Sequence, residues 1–396
     1  MASTLRRVGS LALASALALA ACETTAPTPA PTSRPSASTS AEPSTPPSPS
    51  ATPSPSLRPT TRPTTGEAVG TGIRLIGGPL NARVGPSGVW TGSEVIVWGG
   101  YHSSGGIVDP VTGYPRSGAA LSPYSGQWRP IANAPIQGRY RHLAAWTGRE
   151  MLVWGGITEV WRQGQAPDGA AYNPRTDRWR PIAGSPLPWG QGPAAVMAGD
   201  EWIVAATRNS GEVQVAAYHP RADSWRSLPS IPHLQSRENR LVRTDSALIL
   251  MNSAEGMFVL EDGADVWVKS SSKPIGEEVV WTGEELIGLP GSWVDHHLVR
   301  YNAAADAWLE IPSPYLDGGR LIWIGTRGLV LGEFGAPSYF FNYMSGTWRE
   351  LRWPDRNNLE DHVSVWTGDS LVEWGGWTGG DGAQPTDGGW VVWLEE

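Results

Sequence analysis

Residues Trp146–Gly156 read WTGREMLVWGG, and the chain is organised around this frame. It returns as WTGSEVIVWGG at Trp90–Gly100 and as WTGDSLVEWGG at Trp366–Gly376. Each copy reads as an aromatic strand end, a tight Thr-Gly turn, an apolar strand and a Gly-Gly stop. A repeat built from a few short strands predicts stacked or radially arranged sheets.

Four pieces recur downstream of residue 66. The first is an inner strand such as Arg141–Trp146 (RHLAAW), and the second is the apolar strand that ends in Gly-Gly. The third ends in Tyr and a turn, and the fourth begins with Trp. The last two run together as YNPRTDRW (Tyr172–Trp179), YHPRADSW (Tyr218–Trp225) and YNAAADAW (Tyr301–Trp308). The same spacing separates Leu121 from Trp128, Leu260 from Trp267 and Phe341 from Trp348. These tryptophans recur about every 40–50 residues, which suits a four-stranded blade.

Inner strands end at Trp90, Trp146, Met197, Arg243, Trp281, near Ile324, and at Trp366, one more than the fourth-strand tryptophans. The missing strand is at the front, where Ile73–Ile76 reads as a fourth strand with no blade ahead of it. Gly389–Leu394 shows the reverse defect, a third strand with nothing after it. Pairing the two closes a ring and leaves no open sheet edge. The expected fold is therefore an all-β, seven-bladed propeller over residues 70–396. Six blades would require the degenerate copies near Arg243 or Ile324 to be insertions.

Gly-Gly after an apolar strand, then Tyr, then Trp, resembles the kelch repeat across essentially residues 70–394. The match is strongest in blades 1, 2 and 7 and weakest in blade 4, where Asn252-Ser253 replace the glycines. Blades of the WD type fit worse, because no Trp-Asp ends a strand at regular intervals. The resemblance implies a propeller and leaves function open, since kelch propellers include protein-binding modules, sugar oxidases and sugar mutarotases. The sugar-oxidase branch requires a Cys-crosslinked Tyr, and the single cysteine, Cys22, is committed elsewhere.

Composition agrees with a turn-rich β chain: Gly 48, Pro 35 and Trp 22 against Phe 4 in 396 residues. The formal charge is -8, and residues 1–21, carrying only Arg6 and Arg7, leave -10 when removed. That balance opposes docking on phosphate backbones, so nucleic acid is not an expected partner. Arg6-Arg7, the apolar run Leu11–Ala21 and Leu19-Ala20-Ala21-Cys22 resemble a bacterial lipoprotein signal with its lipobox. Residues 1–21 are thus expected to be removed and Cys22 lipidated, which places the protein at the cell membrane, facing the exterior or periplasm. Residues 22–69 are rich in Pro, Ser and Thr and cannot bury enough apolar surface to fold, so they read as a disordered tether. The chain is read as a monomer.

Chain direction sorts the loops. Thr-Gly turns and Tyr-to-Trp turns share one face and are short. Loops after Gly-Gly share the other face and are long in blades 7, 1 and 2: Trp377–Asp387, Tyr101–Ser117 and Ile157–Asp168. Long loops grouped on a rigid scaffold are where ligands are usually held. Trp161, Trp189, Trp293, Trp353 and Trp377 lie off the repeat register, and Trp161 and Trp377 in particular offer platforms for sugar rings or apolar side chains. The segments leading into inner strands give a second set: Arg83, Arg139, Arg141, His142, Glu277, Arg320, Glu360, Asp361 and His362. At a channel mouth these residues would bind an anionic or polyhydroxylated ligand, and His with a neighbouring acid could move a proton. The histidines also fit a merely structural place in the repeat.

No metal site is expected: His296-His297 would point to opposite faces of a strand, and Asp381-Gly382 with Asp387 form no regular calcium loop. No cofactor motif is present. Three functions remain open at this stage: a surface module binding a glycan, an envelope polymer or a protein; a carbohydrate-active enzyme of the mutarotase or epimerase type; and, ranked below these, a purely structural partner in an envelope complex.

Overall fold

By its internal contacts the chain divides into Met1–Leu57 and Arg58–Glu396. A computed structural model describes residues 68–69, 72–104, 107–108, 113–159, 164–187, 191–234, 239–271, 278–289, 297–303, 305–314, 316, 319–325, 327–332, 338–351, 359–378 and 384–393. Cys22, the segment before residue 68, Trp161, Trp189, Glu277, Trp293, His296, Trp353 and Asp381 lie outside the described residues, as does the side chain of Glu360.

Seven antiparallel blade sheets follow one another along the chain, accompanied by three two-stranded sheets, with no helix among the described residues. Blades 1 to 6 each have four strands in chain order and begin with inner strands Ser87–Trp90, Leu143–Trp146, Gln191–Ala198, Asn239–Arg243, Glu278–Trp281 and Arg320–Ile324. Blade 7 starts at Val363–Trp366, continues through Ser370–Trp374 and Gly389–Trp393, and takes its next strand, Gly72–Leu75, from the front of the domain. The closing ladder runs from Gly72 opposite Val392 to Leu75 opposite Gly389. It lies one residue ahead of the expected Ile73–Ile76, since Ile76 falls outside the strand at 68% exposure. Ala68–Val69 adds a fifth strand that the repeat did not announce. The degenerate copies near Arg243 and Ile324 are complete blades.

The ring is held by seven apolar clusters, one in each seam between neighbouring blades. Strand periodicity explains how one strand serves two seams. In Val95–Trp98, Val95 and Val97 face blade 7 while Ile96 and Trp98 face blade 2. Four of the six Tyr-to-Trp-register tryptophans also bond backwards across the seam: the indole NH of Trp179 donates to the Ala132 carbonyl at 2.8 Å and that of Trp225 to Ala183 at 2.8 Å. Trp267 and Trp348 do the same to Pro229 and Pro312 at 2.7 and 2.9 Å. The tyrosine of each Tyr-to-Trp turn is tied down beside them, Tyr172 donating to Asp177 at 2.7 Å and Tyr218 to Asp223 at 2.6 Å. A conserved spacing in the chain is thus a packed wedge in space.

Candidate functional site

The second strand of blades 1, 2 and 7 ends in a fully buried Trp, then Gly-Gly. The indoles of Trp98, Trp154 and Trp374 donate to Arg116, Pro167 and Asp387 at 2.9, 3.0 and 2.9 Å, fixing where each long loop returns. Both glycines of every pair have positive φ, from 73° at Gly155 to 97° at Gly156. Space is as tight as the dihedrals: a Cβ on Gly99 would lie 2.6 Å from His142 Cε1, and one on Gly100 2.9 Å from the Val84 carbonyl.

The chain just after Gly-Gly pairs with the segment leading into the same blade's inner strand. Val84 faces Tyr101, Tyr140 faces Ile157, and Glu360 faces Trp377. Backbone bonds then lock the three blades together. Gly376 donates to the Arg83 carbonyl at 2.7 Å, Gly100 to that of Arg139 at 2.9 Å, and Gly85 to that of Asp361 at 2.7 Å. Blades 7, 1 and 2 therefore present one continuous lead-in surface.

Several residues expected on that surface are turned inward. Arg139 is 0% exposed, and its guanidinium donates to the carbonyls of Gly155 and Asp168 at 2.9 and 3.2 Å while pairing with the Asp168 carboxylate at 2.8 Å. Arg83 repeats the arrangement one blade earlier on Gly99 and Ser117, and burial lowers its pKa to about 10, leaving it charged at neutral pH. Both arginines cap carbonyls at the Gly-Gly ends, and neither lines a channel mouth. His142 is buried too, with Nε2 2.7 Å from Ser87 Oγ and its ring edge-on to Trp98. Burial first, then the Arg139 charge, push its pKa down to about 3. It stays neutral at neutral pH and is a poor proton carrier.

His362 is likewise buried, its Nε2 2.8 Å from Ser364 Oγ and 3.4 Å from Oε1 of the fully buried Glu373. Serine and carboxylate approach the same ring nitrogen, which is not the relay of a nucleophilic triad. Arg320, half-buried in blade 6, reaches the His362 carbonyl at 3.4 Å. Among the described residues no three His, Cys, Asp or Glu side chains converge as a metal site would require.

What does share the surface is an aromatic group with charged neighbours. Tyr101 and Tyr140 meet edge to face at 4.9 Å, and Tyr114 stacks on Tyr140 at 5.9 Å. Trp377 donates its indole NH to the Tyr101 hydroxyl at 3.3 Å, and the Arg141 guanidinium sits 5.8 Å over the Tyr140 ring. All four rings are half-buried, whereas Arg141 and Asp361 are exposed. The Tyr101 pKa is raised, mainly by burial; Trp377 counters this, Asp361 and Tyr140 add to it, and Arg141 counters it. Tyr101, Tyr114 and Tyr140 were not singled out in the sequence; their signal was position, next to Gly-Gly or within the lead-in segments.

The lead-in segments share a left-handed backbone conformation that also occurs at Asp177, Asp223, His233 and Asp306. Gly85, Arg141 and Asp361 occupy equivalent places in blades 1, 2 and 7, with φ of 61°, 53° and 50°. Glycine adopts that conformation freely, whereas Arg and Asp are held in it at a cost of order 1–3 kcal/mol.

No protein-family model matches the chain, and no curated protein matches its sequence. A solved structure described as "Structure of YjhT" is similar over 79% of this chain and 96% of its own, at 14% identity and a TM-score of 0.44. Similarity at that level carries no inference about what this chain does, and the seven-bladed architecture rests on the sheet pairing itself.

Proposed function

We propose that the protein is a binding module whose ligand, a glycan or a glycan-bearing envelope polymer, lies across the junction of blades 7, 1 and 2. The observation that carries this reading is the half-buried Tyr101–Tyr140–Trp377 group flanked by the strained, exposed Arg141 and Asp361. Aromatic faces suit the apolar side of a sugar ring, and a guanidinium and a carboxylate at the rim suit its hydroxyl and acidic substituents. His142, buried and held neutral, is a poor proton carrier, and His362 is buried away from the surface, which weighs against the mutarotase alternative. In keeping with this role, the lipobox-like Cys22 would anchor the propeller at the cell surface, which incorporation of labelled fatty acid, lost in Cys22→Ala, would establish.

The test is a glycan array followed by titration of the best ligand against Tyr140→Ala, Trp377→Ala and Arg141→Ala. Each ring removed is expected to weaken binding by about tenfold or more, as buried aromatic anchors do. Undiminished affinity in all three variants would remove the site, and accelerated sugar anomer exchange seen by proton NMR would restore the enzyme reading.

A further inference from the structure

Four tyrosines at the Tyr-to-Trp turns give their hydroxyl protons to aspartates: Tyr124 to Asp369 at 3.1 Å, Tyr172 to Asp177 at 2.7 Å, Tyr218 to Asp223 at 2.6 Å and Tyr301 to Asp306 at 2.5 Å. Those hydroxyls are consumed by the fold. Tyr101, on the other face, is arranged the opposite way. Its oxygen accepts the Trp377 indole N–H at 3.3 Å, and its own proton meets no acceptor among the described residues. An indole N–H can only donate, so Trp377 cannot take that proton back.

The repeat does not require this hydroxyl. Tyr101 and Trp377 hold the same place in their blades, the residue after Gly-Gly, and blade 2 fills it with Ile157. The phenol is nevertheless held still. Tyr101 N–H donates to the Val84 carbonyl at 2.9 Å, Val84 N–H returns the bond at 3.0 Å, and the ring meets Tyr140 edge to face. Burial raises its pKa, so it keeps its proton at neutral pH. Close by, the Arg141 guanidinium lies over the Tyr140 ring, and neither it nor the Asp361 carboxylate makes a hydrogen bond or ion pair among the described residues. Both act electrostatically on the Tyr101 phenol, which gathers them around one spot.

We infer that Tyr101 is the specificity-determining residue of the aromatic junction: its hydroxyl donates a hydrogen bond to an acceptor oxygen of the glycan. Trp377 is its positioning residue, holding the phenol oxygen so that the proton faces the ligand. The inference rests on the glycan reading above and says what that ligand must carry. Sugar hydroxyls both accept and donate, so neighbouring ones answer the phenol, the guanidinium and the carboxylate together, whereas an apolar peptide side chain answers none. A site built around a hydrogen bond also rejects an analogue that lacks the bonded group.

The test probes an array of neutral and acidic oligosaccharides with the parent and with Tyr101→Phe. The oligosaccharide bound most tightly is then titrated by calorimetry, beside analogues each lacking one of its oxygens. Tyr101→Phe should bind about threefold to tenfold more weakly, the effect of one lost hydrogen bond. Its melting midpoint should match the parent's, since Ile157 occupies the same place without a hydroxyl. Trp377→Phe, which keeps a ring and removes the N–H, should show a similar loss, and the double variant should lose no more than either alone. The parent should discriminate against one analogue by the same factor, and Tyr101→Phe should bind that analogue and the complete sugar alike. Parent-like binding by Tyr101→Phe, additive losses in the double variant, or the same analogue preferences in both proteins would overturn this inference and leave the glycan reading standing. An array on which the parent binds nothing would overturn both.

Discussion

Arg141 and His142 are adjacent in the chain and opposite in environment. The left-handed backbone at Arg141 throws its side chain to the surface, and the next residue turns into the seam between blades 1 and 2 against Trp98. Burial gives His142 a consequence that can be measured. Its pKa falls from 6.5 to about 3, so between those values the unfolded chain takes up a proton that the native state refuses. Stability from this residue is complete above pH 6.5 and is lost as the pH falls towards 3. The slope approaches about 1.4 kcal/mol per pH unit. Asp177, Asp223, Asp262 and Glu201 have lowered pKa values, so their own contributions fade only at and below the ordinary carboxylate range. The Glu285 pKa is raised by burial, so this residue adds a little stability as the pH falls from 6.5 to 4.5 and opposes the imidazole. The difference between parent and His142→Gln cancels that contribution and should amount to roughly 2–3 kcal/mol between pH 6.5 and 4.5 in urea unfolding. His142→Gln should be less stable at pH 8 yet markedly flatter over that interval. A parent and a His142→Gln variant with the same pH dependence between 6.5 and 4.5 would refute the assignment.

At the scale of strands and seams, the joint between blades 6 and 7 carries a buried Glu373–His362 contact. Among the described residues, the joint's buried apolar cluster consists of Leu331, Phe340 and Leu371, with four partly buried residues packed against it. Glu373 stands in the frame where Val97 and Val153 stand in blades 1 and 2, and it is 0% exposed beside His362. Replacing a buried polar group by an apolar residue of fitting volume can be nearly neutral, whereas leaving a buried polar partner unsatisfied costs about 1–3 kcal/mol. Glu373→Val should therefore stay close to the parent in a urea melt, and His362→Ala should be clearly weaker. The reverse order would mean that the carboxylate is essential to the seam. The same scale shows what the sequence could and could not disclose. WTG, WGG and the Tyr-to-Trp spacing report position along a strand, and position along a strand determines which seam a residue enters, so the blades were legible. Whether a lead-in residue then turns to solvent or into the seam depends on one φ angle, which is why Arg139, His142 and His362 were expected at the surface and lie beneath it. Tyr101, Tyr114 and Tyr140 passed unnoticed because a half-buried tyrosine beside a strand has the same spelling as a core one.

For the molecule as a whole, the decisive joint is the pairing of its two ends. Six blades draw all their strands from one continuous stretch, and the seventh cannot be completed without Gly72–Leu75. That strand buries Ile73 and Leu75 at 5% and 3% exposure, Leu75 entering the seam shared with blade 1. Burying two such side chains is worth roughly 1.5–3 kcal/mol each, a large share of a typical domain stability of about 5–15 kcal/mol. Losing the strand also bares the edge of Gly389–Trp393, a template for pairing with other chains. A chain beginning at Pro79 is thus expected to melt at lower temperature and to aggregate, and Ile73→Asp should weaken the same joint without shortening the chain. A chain beginning at Gly66 keeps both front strands and should melt with the parent. The decisive control adds a peptide spanning residues 66–78 to the shortened chain: if the ring closes through this ladder, the peptide restores the melting temperature in a concentration-dependent way, as a bound strand must. A shortened chain that is as stable and monomeric as the parent would show that the wheel stands without its borrowed strand.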